Sequence, residues 1–294
     1  VKERGDIEGV GIERPDGSSE TIGCQALILA CNGYGGNPEL VKRYIPDMAT
    51  ANYFGHAGNQ GEAILWGEDL GAATSYLGSY QGHGSVAHPH GILITWALMT
   101  EGGILVNASG QRFTNEHEGY SEQARRVMMQ PDGLAWDIYD QRLHELGKGF
   151  EDYVQAEKMG AVKMAASIEE LSSMLGLPQD MLVQTLAECR QLRKEPSADP
   201  LGRDFSTKPS LEPPFYGIKV TGSLFHTQGG LTVNTEARVL RQDGSAFVNL
   251  FAAGGAAAGL SGSADWGYLS GNGLLTAVAL GRIAGLTAAK LPEV

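Results

Sequence analysis

Cysteine is scarce in this sequence, with Cys24, Cys31 and Cys189 the only three. The number is odd and comes without CxxC or Cys/His spacing, which excludes a disulfide framework and a zinc site. The three thiols are expected as small buried hydrophobes. Basic charge is also short: 22 Lys and Arg stand against 34 Asp and Glu, a net charge of −12. Nucleic acid and anionic membrane surfaces, which both require a basic face, are therefore excluded as main partners. No run of 18 or more apolar residues occurs, so no membrane span is expected. With no charged-then-apolar leader in view, the default compartment is cytoplasmic. Missing too is a GxGxxG between a strand and a helix, the turn that grips the phosphates of a dinucleotide.

What is present supports a soluble globular protein. The 294 residues, 42% hydrophobic and 19% charged, suffice for one large or two ordinary domains. Forty-one glycines, gathered in GG and GxG pairs, suit backbone packed against a ligand. Strands are expected at residues 7–12, near Thr21 and at 25–30, with the Pro15-Asp16-Gly17 turn between the first two. Pro38 starts a helix to Tyr44, and Gly58-Asn59-Gln60-Gly61 precedes another that ends at Gly71. From about Gln81 the chain turns rich in Glu, Gln, Met and Arg, which marks an inserted segment. Within it, Ser167-Ile168-Glu169-Glu170 is a capping box for a helix closed by Gly176, and residues 178–194 form a second. Residues 196–214, rich in proline and glycine, read as a linker or surface loop. Strands then resume at 216–221, 230–234, 239–241 and 250–253. A final helix from about Gly273 to Leu286 is apolar nearly all round and is expected to be buried.

The chemistry-bearing residues cluster at turns. Ala30-Cys31-Asn32-Gly33 ends a strand where α/β sheets bind ligands. His226-Thr227-Gln228-Gly229-Gly230 opens the last quarter, followed by Leu250-Phe251-Ala252-Ala253-Gly254-Gly255 and by Gly267-Tyr268 before Gly271-Asn272-Gly273-Leu274. The N-terminus of the helix behind Gly273 offers free N–H groups and partial positive charge, which suit a ligand edge that gathers negative charge.

In that order these segments resemble the FAD-dependent flavoproteins of the fumarate reductase and succinate dehydrogenase type, which include tricarballylate dehydrogenase and 3-ketosteroid dehydrogenases. Ala30 to Pro38 is similar to the family's ATGGFGGNP, Gly58 to Gly61 to its GxTGDG, and Gln111-Arg112-Phe113-Thr114-Asn115-Glu116 to its RFxNE. His226 to Leu231 is similar to HTxGGL, Leu250 to Gly254 to LYAAGE, and Gly271 to Leu274, with Leu280 to Gly285, to GNSL before FGRxAG. The resemblance implies an α+β or α/β body. A partial, Rossmann-like FAD-binding domain of the glutathione-reductase type would be built from residues 1–80 and 221–294, with an α+β capping domain inserted over 81–220.

It further implies FAD as cofactor, held by Ala30, Gly33, Gly61, Gly254, Gly255, Gly271, Asn272, Gly273 and Leu274. The implied reaction moves hydride between flavin and a carbon–carbon bond beside a carbonyl or carboxylate of a small ketone or organic acid. His83, Tyr120, His226 and Tyr268 fall at its catalytic positions. Tyr120 and Tyr268 stand where the dicarboxylate enzymes place arginines, and a phenol suits a ketone better than a carboxylate. Arg125 and Arg126, one turn beyond Tyr120, read as a solvated helix face. Gly255 replaces the glutamate of AAGE that holds the ribityl chain. The alternative is a non-catalytic fragment or binding module that does not hold FAD.

Overall fold

The computed structural model describes residues 7–195 and 199–292. Its chain divides into two compact units: Val1–Ala49, Tyr53–Gln81 and Leu224–Val294 form the first, Thr50–Asn52 and Gly82–Ser223 the second. The first unit opens on an antiparallel hairpin of β1 (Gly9–Glu13) and β2 (Ser19–Gly23), registered from Gly9 opposite Gly23 to Glu13 opposite Ser19. Gly17, at φ +82°, makes its turn. β3 (Leu27–Leu29) follows and runs into α1 (Pro38–Tyr44). The Asn37 side chain accepts from the N–H groups of Glu39 and Leu40 at 3.1 and 3.2 Å, and Pro38 takes the first helical position, so the expected start is fixed by local chemistry. β4 (Asn52–Tyr53), α2 (Glu62–Asp69) and β5 (Thr74–Ser75) complete the stretch.

β6 (Tyr80–Ala87) carries the chain into the second unit, where β7 (Ile92–Leu93), α3 (Ala97–Thr100), β8 (Ile104–Val106), α4 (Tyr120–Met128) and β9 (Leu134–Asp140) follow. Next come α5 (Gln141–Gly147), α6 (Glu151–Lys158), β10 (Lys163–Ala165), α7 (Ile168–Leu175), α8 (Gln179–Leu192) and the long strand β11 (Phe215–Thr227). A seven-stranded sheet orders them β7-β6-β11-β9-β8, with β4 and β10 also on β11. β9 pairs antiparallel with β11 from Phe215 opposite Asp140 to Thr221 opposite Leu134. Its core packs Leu98, Ile104, Ile138, Leu143, Leu171 and Ile218. The capping box behaves as its spacing requires: Ser167 Oγ accepts from Glu170 N at 3.2 Å, and Gly176, at φ +70°, ends α7.

β11 returns the chain to the first unit, where β12 (Gly230–Leu231) pairs with β5. β13 (Arg238–Leu240) and β14 (Ala246–Ala252) extend a three-stranded sheet in the order β13-β14-β3, with β14 and β3 parallel, Leu250 opposite Leu27 and Ala252 opposite Leu29. Asn249 ties this sheet together from the side, accepting from Ile7 N at 2.9 Å and donating to the carbonyls of Ile7 and Gln25. α9 (Asn272–Ala288) closes the unit.

Four expectations are corrected here. The final helix is not buried all round: Asn272, Thr276 and Ala284 face inward, whereas Leu274 is 77% and Val278 72% exposed. An all-apolar pattern states what a helix could cover and does not name the covering surface. Residues 199–208 are not a plain surface loop, although 196–198 lie outside the described residues. Asp199 and Arg203 from this segment are buried against Arg112 and Glu116, with Arg112–Asp199 at 3.1 Å, Arg112–Glu116 at 2.8 Å and Arg203–Glu116 at 3.0 Å. The Phe205 ring lies under both guanidinium groups, 4.5 Å from Arg112 and 4.6 Å from Arg203. Arg126 is not on a solvated face either, because it bonds Thr114 Oγ1 at 2.6 Å and pairs with Glu118. Finally, Cys31 is exposed in its turn, and Cys24 and Cys189 are only partly buried.

Burial alone would raise the Glu116 carboxyl, but Arg112 and Arg203 hold it below the usual carboxylate range. Removing this shared anion strands two buried cations. Glu116→Ala is expected to cost about 3–5 kcal/mol in denaturant unfolding; a loss below about 1 kcal/mol would show that the cluster does not hold this segment in place.

Candidate active site

In the first unit the candidate residues meet around one close approach. Tyr34 N donates to Thr227 Oγ1 at 3.2 Å, and a Cβ on Gly33 would lie 2.0 Å from that oxygen. A Cβ on Gly255 would lie 2.2 Å from Asn32 Oδ1 and 2.9 Å from Gly33 N. Glycine is therefore required at both positions by space, and Asn32 takes the left-handed conformation at φ +67°. This turn sits where β3 ends, next to the end of its parallel partner β14, the place at which α/β sheets receive ligands. Gly254, at φ +59°, abuts Ala277 of α9. Ala30 is exposed beside this turn, while Gly61, at φ +87°, packs against Tyr34 and Leu40 and starts α2.

α9 begins behind Gly271, at φ +92°, with no side chain capping its first turn. The first-turn N–H groups of a helix have no partner within it, so Gly273 and Leu274 present donors at this end. Asn272 is buried and its amide donates to Ser261 Oγ at 3.1 Å, which fixes the approach of the loop. His226 lies directly against this start: a Cβ on Gly273 would stand 2.7 Å from His226 Cε1. The His226 ring meets Tyr268 edge-on, centroids 6.1 Å apart and planes at 83°. Its Nδ1 bonds the Thr227 carbonyl at 3.2 Å, which places the proton on Nδ1 and leaves Nε2 as acceptor toward the Gln228 amide at 3.3 Å. Burial pushes His226 below the ordinary imidazole range, with the Thr227 carbonyl opposing, so the ring is neutral near pH 7.

In the second unit His83 and Tyr120 come together. Their rings stack with centroids 5.0 Å apart and planes at 26°, and Trp96 meets His83 edge-on at 5.9 Å. The backbone N–H of Ser85 donates to His83 Nδ1 at 3.1 Å, so the neutral ring carries its proton on Nε2, the opposite tautomer to His226. Burial lowers His83 to about 3. Tyr120 opens α4, whose Ser121 Oγ accepts from Gly82 N at 2.9 Å and so joins the helix start to β6.

Asp137 and its partner Ser85 were not singled out from the sequence. Asp137 of β9 is buried, accepts from Ser85 Oγ at 2.5 Å through Oδ2, and has no hydrogen-bond partner at Oδ1. Burial pushes its carboxyl up to about 7 against the opposing Ser85 hydroxyl. The available signal was an acid inside the apolar strand Leu134-Ala135-Trp136-Asp137-Ile138-Tyr139. Among the described residues no group of three His, Cys, Asp or Glu side chains could hold a metal, and no helix is long and apolar enough to cross a membrane.

Asp137 makes stability depend on pH with a definite sign. Its folded carboxyl titrates near 7 and its unfolded one near 3.8, so between these values unfolding releases a proton. Its contribution to stability therefore falls as pH rises through that window, by up to about 1.4 kcal/mol per unit, and is level above it. Urea unfolding of wild type and Asp137→Asn at pH 5 and pH 8 should show the variant gaining relative stability at pH 8; parallel pH dependence would contradict the assignment.

The match to a model of the FAD binding domain family extends over residues 1–274. A probable fumarate reductase of Shewanella frigidimarina is 29% identical over 269 residues, 92% of this chain and 45% of that protein. A 3-oxosteroid 1-dehydrogenase of Mycobacterium tuberculosis is 28% identical over 274 residues, 81% of this chain and 48% of that protein. The open conformation of a flavocytochrome c3 fumarate reductase superposes with a TM-score of 0.77 at 27% identity, covering 99% of this chain and 50% of that one. The chain thus spans about half the length of the relatives it matches. With a mixed α/β fold of this kind and FAD as the cofactor class, the chain belongs to the FAD binding domain family.

Proposed function

We propose that this chain serves an FAD-dependent oxidoreductase that moves hydride between flavin and a carbon–carbon bond beside a carbonyl, with a neutral ketone preferred over a carboxylate. On this reading the first unit holds the cofactor, and the second is a capping domain that carries His83 and Tyr120. The observation that carries it is Tyr268 packed on His226 at the uncapped start of α9, in a stretch with no lysine or arginine between Arg241 and Arg282. A carboxylate substrate calls for a guanidinium fork, and this stretch supplies none.

The residues present fit one edge of a flavin. The first-turn N–H groups of Gly273 and Leu274 would face a ring edge that gathers negative charge, and Gly33, Gly254 and Gly255 would leave the backbone open to a close ligand. When bound, FAD supplies the two-electron chemistry as a hydride donor or acceptor. The protein's own residues handle oxygen and proton. The Tyr268 hydroxyl would donate to the substrate carbonyl and stabilise charge developing there, while the His226 ring holds the phenol in place. His83, with its proton on Nε2, would act as a fixed donor, and Tyr120, stacked on it, would hold or return a proton at its phenol oxygen.

A second reading, a binding module that does not retain FAD, draws on Gly255, where no side chain fits to reach a ribityl hydroxyl. The two readings separate on the visible spectrum of the purified chain supplied with FAD. A bound-flavin band that bleaches with a ketone substrate supports the oxidoreductase; no band from a folded chain supports the binding module. Tyr268→Phe should keep flavin and lower kcat about 10²-fold or more, and unchanged turnover would remove Tyr268 from the chemistry.

A further inference from the structure

Asp137 calls for an explanation that its packing does not give. It is buried in the middle of β9, and among the described residues no basic side chain acts on it and one of its carboxyl oxygens has no hydrogen-bond partner. The ionisable groups whose fields it shares are the phenols Tyr139 and Tyr153, which hydrogen-bond each other at 2.7 Å and pass on to His144 at 2.8 Å from Tyr153. None of these neutralises a carboxylate. An acid held in this way costs stability that an apolar residue on the same strand would not cost, and such expense is commonest where a site needs a group oriented.

Its carboxylate accepts from the Ser85 hydroxyl, and Ser85 is the residue that sets the tautomer of His83. Three contacts fix Ser85 in β6. Its carbonyl accepts from Ile94 N at 3.0 Å, its hydroxyl donates to Asp137 Oδ2 at 2.5 Å, and its N–H turns to His83 Nδ1 at 3.1 Å. That N–H bonds a side chain two residues earlier on the same strand, a local bond that competes with the regular pairing of strand backbone. It keeps its aim only while the rest of Ser85 is held, and the hydroxyl anchor is what Asp137 supplies.

We propose that Asp137 is a positioning residue which, through Ser85, locks His83 as an Nε2–H donor and bars it from acting as a base. The consequence for chemistry is specific. A His83 free to exchange tautomers would offer an acceptor at Nε2 part of the time, and a substrate oxygen placed there would meet a lone pair instead of a proton. Locked, the ring presents a donor at every turnover, and stacking on Tyr120 and the edge of Trp96 keeps its plane. The value of this device for catalysis rests on the oxidoreductase reading above; the tautomer lock itself does not.

The experiment is ¹⁵N NMR of the chain labelled at its histidine rings, with His83→Gln used to assign the His83 signals. Wild type should show His83 in a single neutral form, Nε2 protonated and Nδ1 not, unchanged from pH 5 to pH 8. Ser85→Ala and Asp137→Leu should both move the two ring signals toward each other as the tautomers mix, while Asp137→Asn, whose side-chain oxygen still accepts from Ser85, should keep the wild-type pattern. Unaltered ring signals in a folded Ser85→Ala protein would overturn the proposal, and so would loss of the lock in Asp137→Asn. If Asp137→Leu does not fold, Ser85→Ala and Asp137→Asn decide alone. In the flavin-loaded protein Ser85→Ala should lower kcat/KM about 10-fold or more. A lost lock with unchanged kcat/KM would count against the role given to His83 in the reaction and leave the tautomer lock standing.

Discussion

The first unit depends on a contact that leaves no room for a side chain. Where the Asn32–Gly33 turn passes Thr227 and Gly255, a methyl group at Gly33 would run into the Thr227 hydroxyl and one at Gly255 into the Asn32 side chain and the Gly33 N–H. Other positions follow from it. Thr227 is held by Tyr34 N, its carbonyl fixes the proton of His226 on Nδ1, and the His226 ring occupies the space that a side chain at 273 would need. The start of α9 is thus placed by a series of steric exclusions running from the end of β3, not by a cap of its own. Binding elements set by close packing move little, which is what a site needs when donors must face a ligand edge within a few tenths of an ångström.

Electrostatics in the second unit follow a different rule, that of neutralising charge or avoiding it. Glu116 is ionised in the interior because two guanidinium groups share it, whereas Asp137, with no such partner, is driven toward the protonated form. His83 and His226 are both neutral, and in each a backbone group, not a charge, chooses which nitrogen holds the proton. Two imidazoles in opposite tautomers are two different reagents. One gives a hydrogen bond and the other accepts one, a distinction that no side-chain name conveys.

Local chemistry made part of this legible in the sequence. Asn37-Pro38, the Ser167–Glu170 box and Gly176 act within one helical turn of themselves, so their structural meaning travels with the residues. Motif order named Tyr120, His83, Tyr268 and His226 one by one, but that Tyr120 stacks on His83 and Tyr268 meets His226 edge-on could not be seen in spacing. What escaped was set by distant partners. The parallel neighbour of β3 is more than two hundred residues away in β14, the Asp199–Phe205 segment is organised by Arg112 and Glu116, and the exposed face of α9 depends on which surface lies against it. Asp137 escaped for a sharper reason. An acid in an apolar strand is the local inconsistency that marks a constrained site, and it is visible only when a strand is read for what does not belong.

Three of the second unit's arginines bear on the proposed preference for a neutral substrate. A chain with Arg112, Arg125, Arg126 and Arg203 in one unit has the residues from which a carboxylate clamp could be made. Arg112 and Arg203 are instead spent inward on Glu116 and Asp199 and sealed by Phe205, and Arg126 is committed to Thr114 and Glu118. Recruiting either buried guanidinium for a substrate would leave Glu116 buried with too few partners, at a cost of several kcal/mol that a single carboxylate contact does not return. A phenol bonds an uncharged oxygen without desolvating an ion, which supports the ketone proposed above.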